Sequence, residues 1–336
     1  MFNSTTKKVR LVRSWTSRHP IWCAWQVTYR CNFRCRFCQY WHDPLGRLPE
    51  PTPADYAAGA KKLASYGTSM ISLAGGEPLL RTDICDVIRE IGRYHFPFLT
   101  TNGWFVTPPL AADLMKSGLW GVSISIDYAD PALHNARRGV AGAWEQAWRA
   151  VELLAAARVE KHQRINVISV LMDDNLDHVE RVCQMAAARG AYYMVQPYGY
   201  LKTGSKAYEP KAAVSPKLLE IRARNANFLS NPHYLARFDE FFRQGIPDCR
   251  AGQAFFNIDS TGDIAICVEE KPRPVANLFR DDIHTIHRRL RAASKNNKCT
   301  QCWYNCRGEV ESLYKPLSLI ASLPTFLFDR GMVKKA

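Results

Sequence analysis

Short hydrophobic runs alternate with longer amphipathic stretches along the first two hundred residues. The short runs are rich in β-branched and aromatic residues and predict buried strands. The longer stretches carry apolar residues at helical spacing and predict helices. The predicted strands are residues 21–28, 69–74, 96–101, 121–127, 164–171 and 192–196. The predicted helices between them are residues 53–66, 81–94, 109–117, 143–157 and 176–189.

Strands that alternate with helices are typical of a parallel sheet covered by helices, either a barrel or an open α/β sheet. Active sites in such folds lie at the carboxyl ends of the strands. Four segments with polar or cysteine side chains fall at these ends: residues 31–38, residues 75–77, Asn102 and Asp127. We therefore expect these segments to meet at one edge of the sheet.

The pattern changes beyond residue 200. Residues 202–216 are rich in Lys, Gly, Ser and Pro and predict a linker, and helices are predicted at 217–228 and 234–242. Residues 255–267 predict a β-hairpin that turns at 260–263, and a basic helix follows at about 281–293. The predicted organisation is a basic arm (1–20), an α/β domain (21–200), a linker with helices (201–245), a small cysteine-rich hairpin and helix extension (246–310) and a tail (311–336).

Composition is that of a soluble globular protein, with 47% hydrophobic and 23% charged residues among 336. The net charge of +14 indicates an anionic partner, which could be nucleic acid, a phospholipid surface, an acidic peptide or a phosphorylated small molecule. The first twenty residues are basic but lack the apolar segment of a secretory signal. Eleven cysteines in such a chain favour a reducing cytoplasmic location.

The tail is apolar over residues 316–328 and then basic at Arg330, Lys334 and Lys335. It is too short, and too interrupted by Pro324, to span a bilayer. Two interpretations stay open: a peripheral contact with a membrane surface, or a segment that covers the end of the α/β domain.

Cys31, Cys35 and Cys38 form a C-x3-C-x2-C motif directly after the first strand. Thiolates are soft ligands that favour zinc or iron–sulfur clusters. A [4Fe–4S] cluster normally takes four cysteines, so three without a fourth nearby would leave one iron open to a small molecule. The alternatives are a zinc knuckle or three unrelated core thiols.

With aromatic Phe37 before its last cysteine, this loop resembles that of the radical S-adenosylmethionine (SAM) enzymes. The resemblance implies a partial (β/α)6 TIM-like barrel and a [4Fe–4S] cluster on Cys31, Cys35 and Cys38 as the catalytic centre. It also implies that SAM chelates the open iron, with Phe37 near the adenine.

Two further segments resemble SAM-binding motifs of the same family. Gly75, Gly76 and Glu77 stand in a GGEP motif, which implies binding of the methionyl amino group. Residues 134–139 resemble a His-Asp-x-x-Arg-Gly segment in which Arg138 meets the SAM carboxylate, a role suited to a fixed, fork-shaped cation. Asn135 departs from the usual Asp of that segment. The alternative for Arg138 is a solvated loop charge.

Three strand-end residues complete the expected cofactor-binding set. Ser125 and Asp127 are placed to reach the ribose hydroxyls of SAM, unless Asp127 merely caps the next element. Asn102 lies in a polar turn at a neighbouring strand end.

A second cysteine set comprises Cys249, Cys267, Cys299, Cys302 and Cys306. A C-x2-C pair with two earlier cysteines suits a four-coordinate zinc or a second [4Fe–4S] cluster. The spacing resembles the SPASM and twitch extensions of radical SAM enzymes, of which a full SPASM uses seven or more cysteines. We therefore expect one auxiliary [4Fe–4S] cluster on Cys249, Cys267, Cys299 and Cys302, with Cys306 as a spare or substitute ligand.

The resemblance implies an oxidoreductase or maturase that cleaves SAM reductively and abstracts hydrogen with a 5′-deoxyadenosyl radical, in a biosynthetic or peptide-modification pathway. An electron donor such as flavodoxin or ferredoxin is implied, and the basic charge favours an anionic substrate. The short stretch before the first strand disfavours a self-contained peptide maturase.

The alternative function is a basic iron–sulfur or zinc protein that binds nucleic acid without SAM chemistry. The positive charges are dispersed and the aromatic residues lie mainly in apolar strand patterns. Nucleic-acid sites instead interleave aromatic and basic side chains, so we expect no specific nucleic-acid binding.

Overall fold

A computed structural model describes residues 2–315 of the chain. The apolar segment predicted at 316–328 lies outside the described residues. Within 2–315 no helix is both long and apolar enough to cross a membrane.

All six predicted strands are confirmed, and they form one sheet with three further strands in the order β6-β5-β4-β3-β2-β1-β7-β8-β9. Strands β1 to β7 pair in parallel, whereas β8 and β9 pair antiparallel. The strands are β1 Trp22–Thr28, β2 Met70–Gly75, β3 Phe96–Thr101, β4 Gly121–Ser125, β5 Arg164–Leu171, β6 Tyr192–Pro197, β7 Phe255–Ile258, β8 Asp263–Ala265 and β9 Ala276–Asn277.

Helices cover the sheet between successive parallel strands, as the alternation predicts. They are α1 Ser4–Thr16, α2 Pro53–Tyr66, α3 Ile84–Gly92, α4 Pro108–Lys116, α5 Pro131–Arg138, α6 Ala143–Ala156, α7 Val179–Ala188, α8 Ser215–Arg224, α9 Pro232–Ala236, α10 Phe238–Gln244, α11 Ile283–Lys295 and α12 Asn305–Ser312. Helix α3 illustrates the pattern, because Ile84, Val87, Ile88 and Ile91 recur at helical spacing and are all buried.

The first twenty residues differ from the expected basic arm, because they contain helix α1. Asn3 caps this helix by accepting the Thr6 N–H at 2.8 Å. Lys7 Nζ donates to the Gly92 carbonyl at 2.9 Å, and Arg10 donates to the Ala64 carbonyl at 2.5 Å. Both carbonyls lie in the last turns of helices, where cations satisfy unpaired C=O groups and the helix dipole. Lys7 and Arg10 thus attach α1 to the ends of α3 and α2.

Helix α12 closes the open side of the partial barrel. The segment after α8 pairs with the edge of β6 through the Leu229 N–H and the Tyr193 carbonyl, at 2.8 Å. The next turn reaches α12, where the Asn231 N–H donates to the Glu309 carboxylate at 3.1 Å. One face of α12 then lines the barrel interior. The sequence pattern does not predict this helix, which is short and carries few apolar residues.

Arg307 anchors α12 from a completely buried position. Its guanidinium donates to the carbonyls of Cys302 at 2.9 Å and of Ile246 and Pro247 at 2.8 Å, and it pairs with Glu311 at 3.2 Å. A guanidinium suits this place because its planar fork can serve several acceptors at once.

Replacing Arg307 with methionine should lower the free energy of unfolding by about 3–5 kcal/mol, because Glu311 and three carbonyls lose a buried partner. Urea unfolding followed by circular dichroism measures the change. The matched control is Arg224→Met, which removes two exposed ion pairs, with Glu180 and Glu220, at a half-exposed arginine of α8 and should change stability by less than about 1 kcal/mol. Equal losses in the two variants would contradict the anchoring role.

Candidate active site

The three cysteines of the loop after β1 line one cavity of about 460 Å³. The cavity opens at the carboxyl ends of the parallel strands and continues into the barrel. It collects most of the residues that the sequence singled out for the cofactor. These lining residues are Cys31, Cys35, Cys38, Phe37, Gly75, Gly76, Glu77, Asn102, Ser125 and Arg138.

Burial raises the pKa of the Cys31 thiol to about 11 and that of Cys35 to about 12. The positive charge of Arg138 acts in the opposite direction on both. The two thiols are therefore protonated at neutral pH in the metal-free protein. Iron binding must displace these protons, so cluster assembly depends on pH.

Three soft thiols line one cavity, and thiolates are the ligands that iron–sulfur clusters take. Within residues 2–315, no three His, Cys, Asp or Glu side chains are grouped closely enough to hold one metal ion. In a [4Fe–4S] cluster each cysteine binds a different iron. Cys31, Cys35 and Cys38 are the residues that would hold such a cluster here.

Two glycines allow the turn after β2 to lie against the cysteine loop. The Gly76 N–H donates to the Thr28 carbonyl at 2.9 Å, and the Glu77 N–H donates to the Arg30 carbonyl at 2.8 Å. A Cβ atom on Gly75 would lie 1.9 Å from the Thr28 oxygen, and one on Gly76 would lie 2.0 Å from the Arg30 oxygen. Only glycine permits this approach, which ties the turn to the residues just before Cys31.

Glu77 joins the ends of β2 and β3 from a buried position. Its carboxylate accepts hydrogen bonds from Thr101 Oγ1 at 2.6 Å, from the Asn102 N–H at 2.8 Å and from the Leu79 N–H at 3.0 Å. Burial raises its pKa. Asn102 extends the connection, because its amide donates to Asn32 Oδ1 in the cysteine loop at 2.9 Å.

Arg138 is a buried cation at the cavity wall, so the interpretation as a solvated loop charge is wrong. It forms a two-pronged ion pair with Asp127, at 2.7 and 2.8 Å, and its guanidinium lies 5.4 Å from the Phe37 ring centroid. Burial disfavours the charged form, but the Asp127 carboxylate more than offsets it and raises the pKa of Arg138. Gly139 ends α5 against the backbone of Arg34, which brings Arg138 to the loop.

Asp127 differs from the expectation of a ribose contact. One oxygen is paired with Arg138 and the other accepts the Val170 N–H at 2.9 Å, and the side chain is fully buried outside the cavity lining. Nor does it cap the next helix, because Asp130 caps α5. Asp127 therefore positions Arg138, and its neighbour Ser125 is the residue that reaches the cavity.

The family model of the radical SAM superfamily matches residues 25–186. This span includes the cysteine loop, the glycine turn and Arg138. Residues 25–186 of the chain are a radical SAM domain. Members of this family are enzymes that use a [4Fe–4S] cluster and SAM.

Curated relatives match the chain over different lengths. The AdoMet-dependent heme synthase of Oleidesulfovibrio alaskensis is 30% identical over 174 residues, which cover 50% of this chain and 42% of that protein. The chain thus spans less than half of that relative. The mycofactocin maturase MftC of Mycolicibacterium smegmatis is 26% identical over 321 residues, which cover 86% of this chain and 77% of that protein.

Solved structures of the superfamily share the fold. SuiB of Streptococcus suis bound to the precursor peptide SuiA aligns with a TM-score of 0.66 and 17% identity, over 88% of this chain and 73% of that one. The protein anSMEcpe with bound AdoMet and the Kp18Cys peptide aligns with a TM-score of 0.64 and 17% identity, over 82% of this chain and 83% of that one. Radical SAM neighbours have a partial TIM barrel, as the resemblance of the cysteine loop implies.

Outside the radical SAM domain, the C-terminal region holds the second cysteine set. Burial raises the pKa of Cys267 and Cys306 to about 12. Burial also raises the pKa of Cys302, and the neighbouring thiols of Cys306, Cys249 and Cys267 act in the same direction. Cys306 also lines the cavity that holds the first cysteine set.

Cys299 and Cys306 differ in their surroundings. The Cys299 Sγ accepts the Gln301 N–H at 3.5 Å, as the Cys31 Sγ accepts the Phe33 N–H at 3.4 Å, whereas Cys306 lines the cavity. The ligand set expected from the spacing, Cys249, Cys267, Cys299 and Cys302 with Cys306 as a spare or substitute, stays a prediction.

The barrel interior beside the radical SAM site is mostly apolar but carries a polar patch. Thr100, Ser123 and Asn166 are neighbours in register on β3, β4 and β5, and Gln26 lies on β1. The side-chain oxygens of Gln26 and Asn166 are buried and accept no hydrogen bond from the described residues. Barrel interiors are otherwise filled by branched apolar residues, so these oxygens mark the wall that faces a ligand.

Glu309 is a further cavity residue that sequence reasoning missed. Its carboxylate accepts the Asn231 N–H, and burial raises its pKa to about 7 despite that bond and the nearby charge of Arg222. A lone glutamate on a short polar helix gives no sequence signal, because its burial depends on where α12 packs.

Glu309 should make stability fall as pH rises between about 4.5 and 7, because the unfolded chain loses this proton before the folded protein does. Below that window both states are protonated, and above it the penalty is constant. Glu309→Gln should remove the fall, which is at most about 3 kcal/mol. Urea unfolding of both proteins across this range gives the difference.

The matched control for this profile is Glu240→Gln. A hydrogen bond from Arg237 lowers the pKa of Glu240, so its contribution is present above the unfolded pKa and is lost as pH falls. The two variants should therefore deviate from the wild type with opposite slopes. A pH-independent difference for Glu309→Gln would refute the shift.

Proposed function

We propose that the protein cleaves SAM reductively at a [4Fe–4S] cluster held by Cys31, Cys35 and Cys38, and that the resulting 5′-deoxyadenosyl radical abstracts hydrogen from a substrate. The observation that carries this proposal is the convergence of the three thiols, the glycine turn and Arg138 on one cavity. The family match supports it over the alternative of a nucleic-acid-binding protein.

The chain's own residues orient the cofactor. The turn at Gly75 and Gly76 offers backbone groups where no side chain fits. Arg138 provides a buried cation for the SAM carboxylate, and Asp127 fixes its orientation. Phe37 provides a buried aromatic face beside Arg138 for the adenine. Ser125 and Asn102 supply the remaining polar contacts.

The substrate lies deeper in the barrel, against the polar wall of Gln26, Asn166 and Glu309. The cavity continues from the cysteine loop to these residues, and α12 closes it from the side, which excludes water from the reacting carbon. Peptide modification is the reaction class that the relatives favour, because a maturase and a structure with a precursor peptide align over most of the chain.

The partners that remain proposals are an acidic electron donor, of the flavodoxin or ferredoxin kind, and a substrate with anionic character. Arg36 and Arg47 support both, because they are exposed around the cysteine loop and no ion pair of theirs is found within the described residues. Complementary charge speeds such encounters. Membrane contact through the tail is also a proposal.

The function is tested by incubating anaerobically reconstituted, dithionite-reduced protein with SAM. We expect 5′-deoxyadenosine and methionine, detected by mass spectrometry, and we expect Cys35→Ala to abolish them. Cys85→Ala is the matched control, because this partly buried thiol on α3 packs against the hydrophobic core, and it should retain cleavage. Tight, salt-dependent nucleic-acid binding without cleavage would favour the alternative function.

We further propose one auxiliary [4Fe–4S] cluster, of the twitch kind, on Cys249, Cys267, Cys302 and Cys306. Mutual electrostatic interaction of the four thiols supports this set. Such a cluster could accept an electron from the substrate radical, and the net reaction would then be an oxidation.

Reconstituted wild-type protein should bind about eight iron atoms per chain, and Cys306→Ala should bind about four. Cys299→Ala should keep about eight, because its thiol lies outside the proposed set. Iron analysis with electron paramagnetic resonance distinguishes the two centres. Loss of the second centre in Cys299→Ala but not in Cys306→Ala would instead support the ligand set expected from the spacing, with Cys299 in place of Cys306.

A further inference from the structure

Lys202 places one positive charge between the two cysteine systems. It lies in the turn after β6, within the stretch that the sequence predicts as a linker. Its Nζ forms an ion pair with Glu269 at 2.6 Å and donates to the Tyr40 hydroxyl at 3.2 Å. The same Nζ lies 4.8 Å from the Tyr40 ring centroid and 5.0 Å from that of Tyr304.

Each partner of Lys202 stands two residues from a proposed cluster ligand. Tyr40 follows Cys38, Glu269 follows Cys267, and Tyr304 lies midway between Cys302 and Cys306. The ammonium is thus the point where the first cysteine loop, the hairpin and the start of α12 meet.

The position of this ammonium is fixed by packing. The Tyr304 ring lies so close to Gly199 that a Cβ there would be 2.4 Å from it. The side chains of Lys202 and Glu269 are each only 22% exposed. A cation held among two aromatic rings and a carboxylate is screened less by solvent than a surface lysine.

A fixed charge beside an iron–sulfur cluster changes its reduction potential. Reduction adds negative charge, so a nearby cation stabilises the reduced form and raises the potential, and a nearby anion lowers it. The charges of Lys202 and Glu269 both act on the Cys306 thiol, in opposite directions. Arg307 faces the same thiol group from the buried side, through Cys249 and Cys302.

We propose that Lys202 raises the reduction potential of the auxiliary centre and so makes it an electron acceptor for the reaction. This inference rests on the proposed function. When bound, the auxiliary centre would supply an acceptor for the one electron that a substrate radical must lose, while the substrate would release one proton to solvent and gain a bond between existing atoms. Lys202 acts through charge and position and takes no part in bond cleavage.

The test is a redox titration of the reconstituted holoprotein at one fixed pH, followed by electron paramagnetic resonance. Lys202→Met should shift the midpoint of the auxiliary centre to a more negative potential. Glu269→Gln should shift it to a more positive one, and the double variant should lie between them. Lys202→Arg keeps the charge and should stay close to the wild type.

Lys217→Met is the matched control, because this half-exposed lysine pairs with Glu220 on α8 and should leave both midpoints unchanged. Shifts of the same sign in Lys202→Met and Glu269→Gln would indicate a structural effect and overturn the inference. Unchanged midpoints in a protein that binds about eight irons per chain would overturn the role of Lys202 but leave the auxiliary cluster in place. About four irons in the wild type would overturn it together with the auxiliary cluster.

Discussion

The site depends on a close contact between two backbone segments, the turn after β2 and the end of β1. The contact leaves no room for a side chain between them. The turn after β2 donates two N–H groups to the carbonyls of Thr28 and Arg30, immediately before the first cysteine. These bonds are short only because Gly75 and Gly76 have no Cβ. They connect the segment that would hold the amino group of SAM to the segment that would hold the iron, so the distance between the two is set by backbone geometry.

A second layer of contacts keeps this arrangement rigid. Glu77 joins the ends of β2 and β3, and Asn102 carries the connection back to the cysteine loop. On the opposite side, Asp127 forms an ion pair with Arg138. Gly139 allows the end of α5 to lie against the backbone of Arg34 in the cysteine loop. The charged groups of the site are therefore oriented before any cofactor arrives, which is the condition under which buried electrostatic contacts are strongest.

The sequence predicts the features that local chemistry determines. Strand periodicity identifies all six barrel strands, and the cysteine spacing and the glycine pair identify the cofactor side of the cavity. The sequence does not predict roles that depend on tertiary packing. The sequence suggests that Asp127 contacts the ribose or caps the next element, whereas the approach of α5 pairs it with Arg138. Cys306 and Glu309 reach the cavity because α12 fills the barrel's open side, a placement that no spacing reveals.

The positive net charge illustrates the same limit. Counting charges suggests an external anion, yet several cations are used inside the molecule. Lys7 and Arg10 bind carbonyls at helix ends, and Arg307 binds three carbonyls beneath α12. Lys202 is occupied by Glu269 and two tyrosines. The charge available to partners is therefore smaller than +14. What remains exposed near the cysteine loop is the pair Arg36 and Arg47, which is where the proposed acidic electron donor would bind.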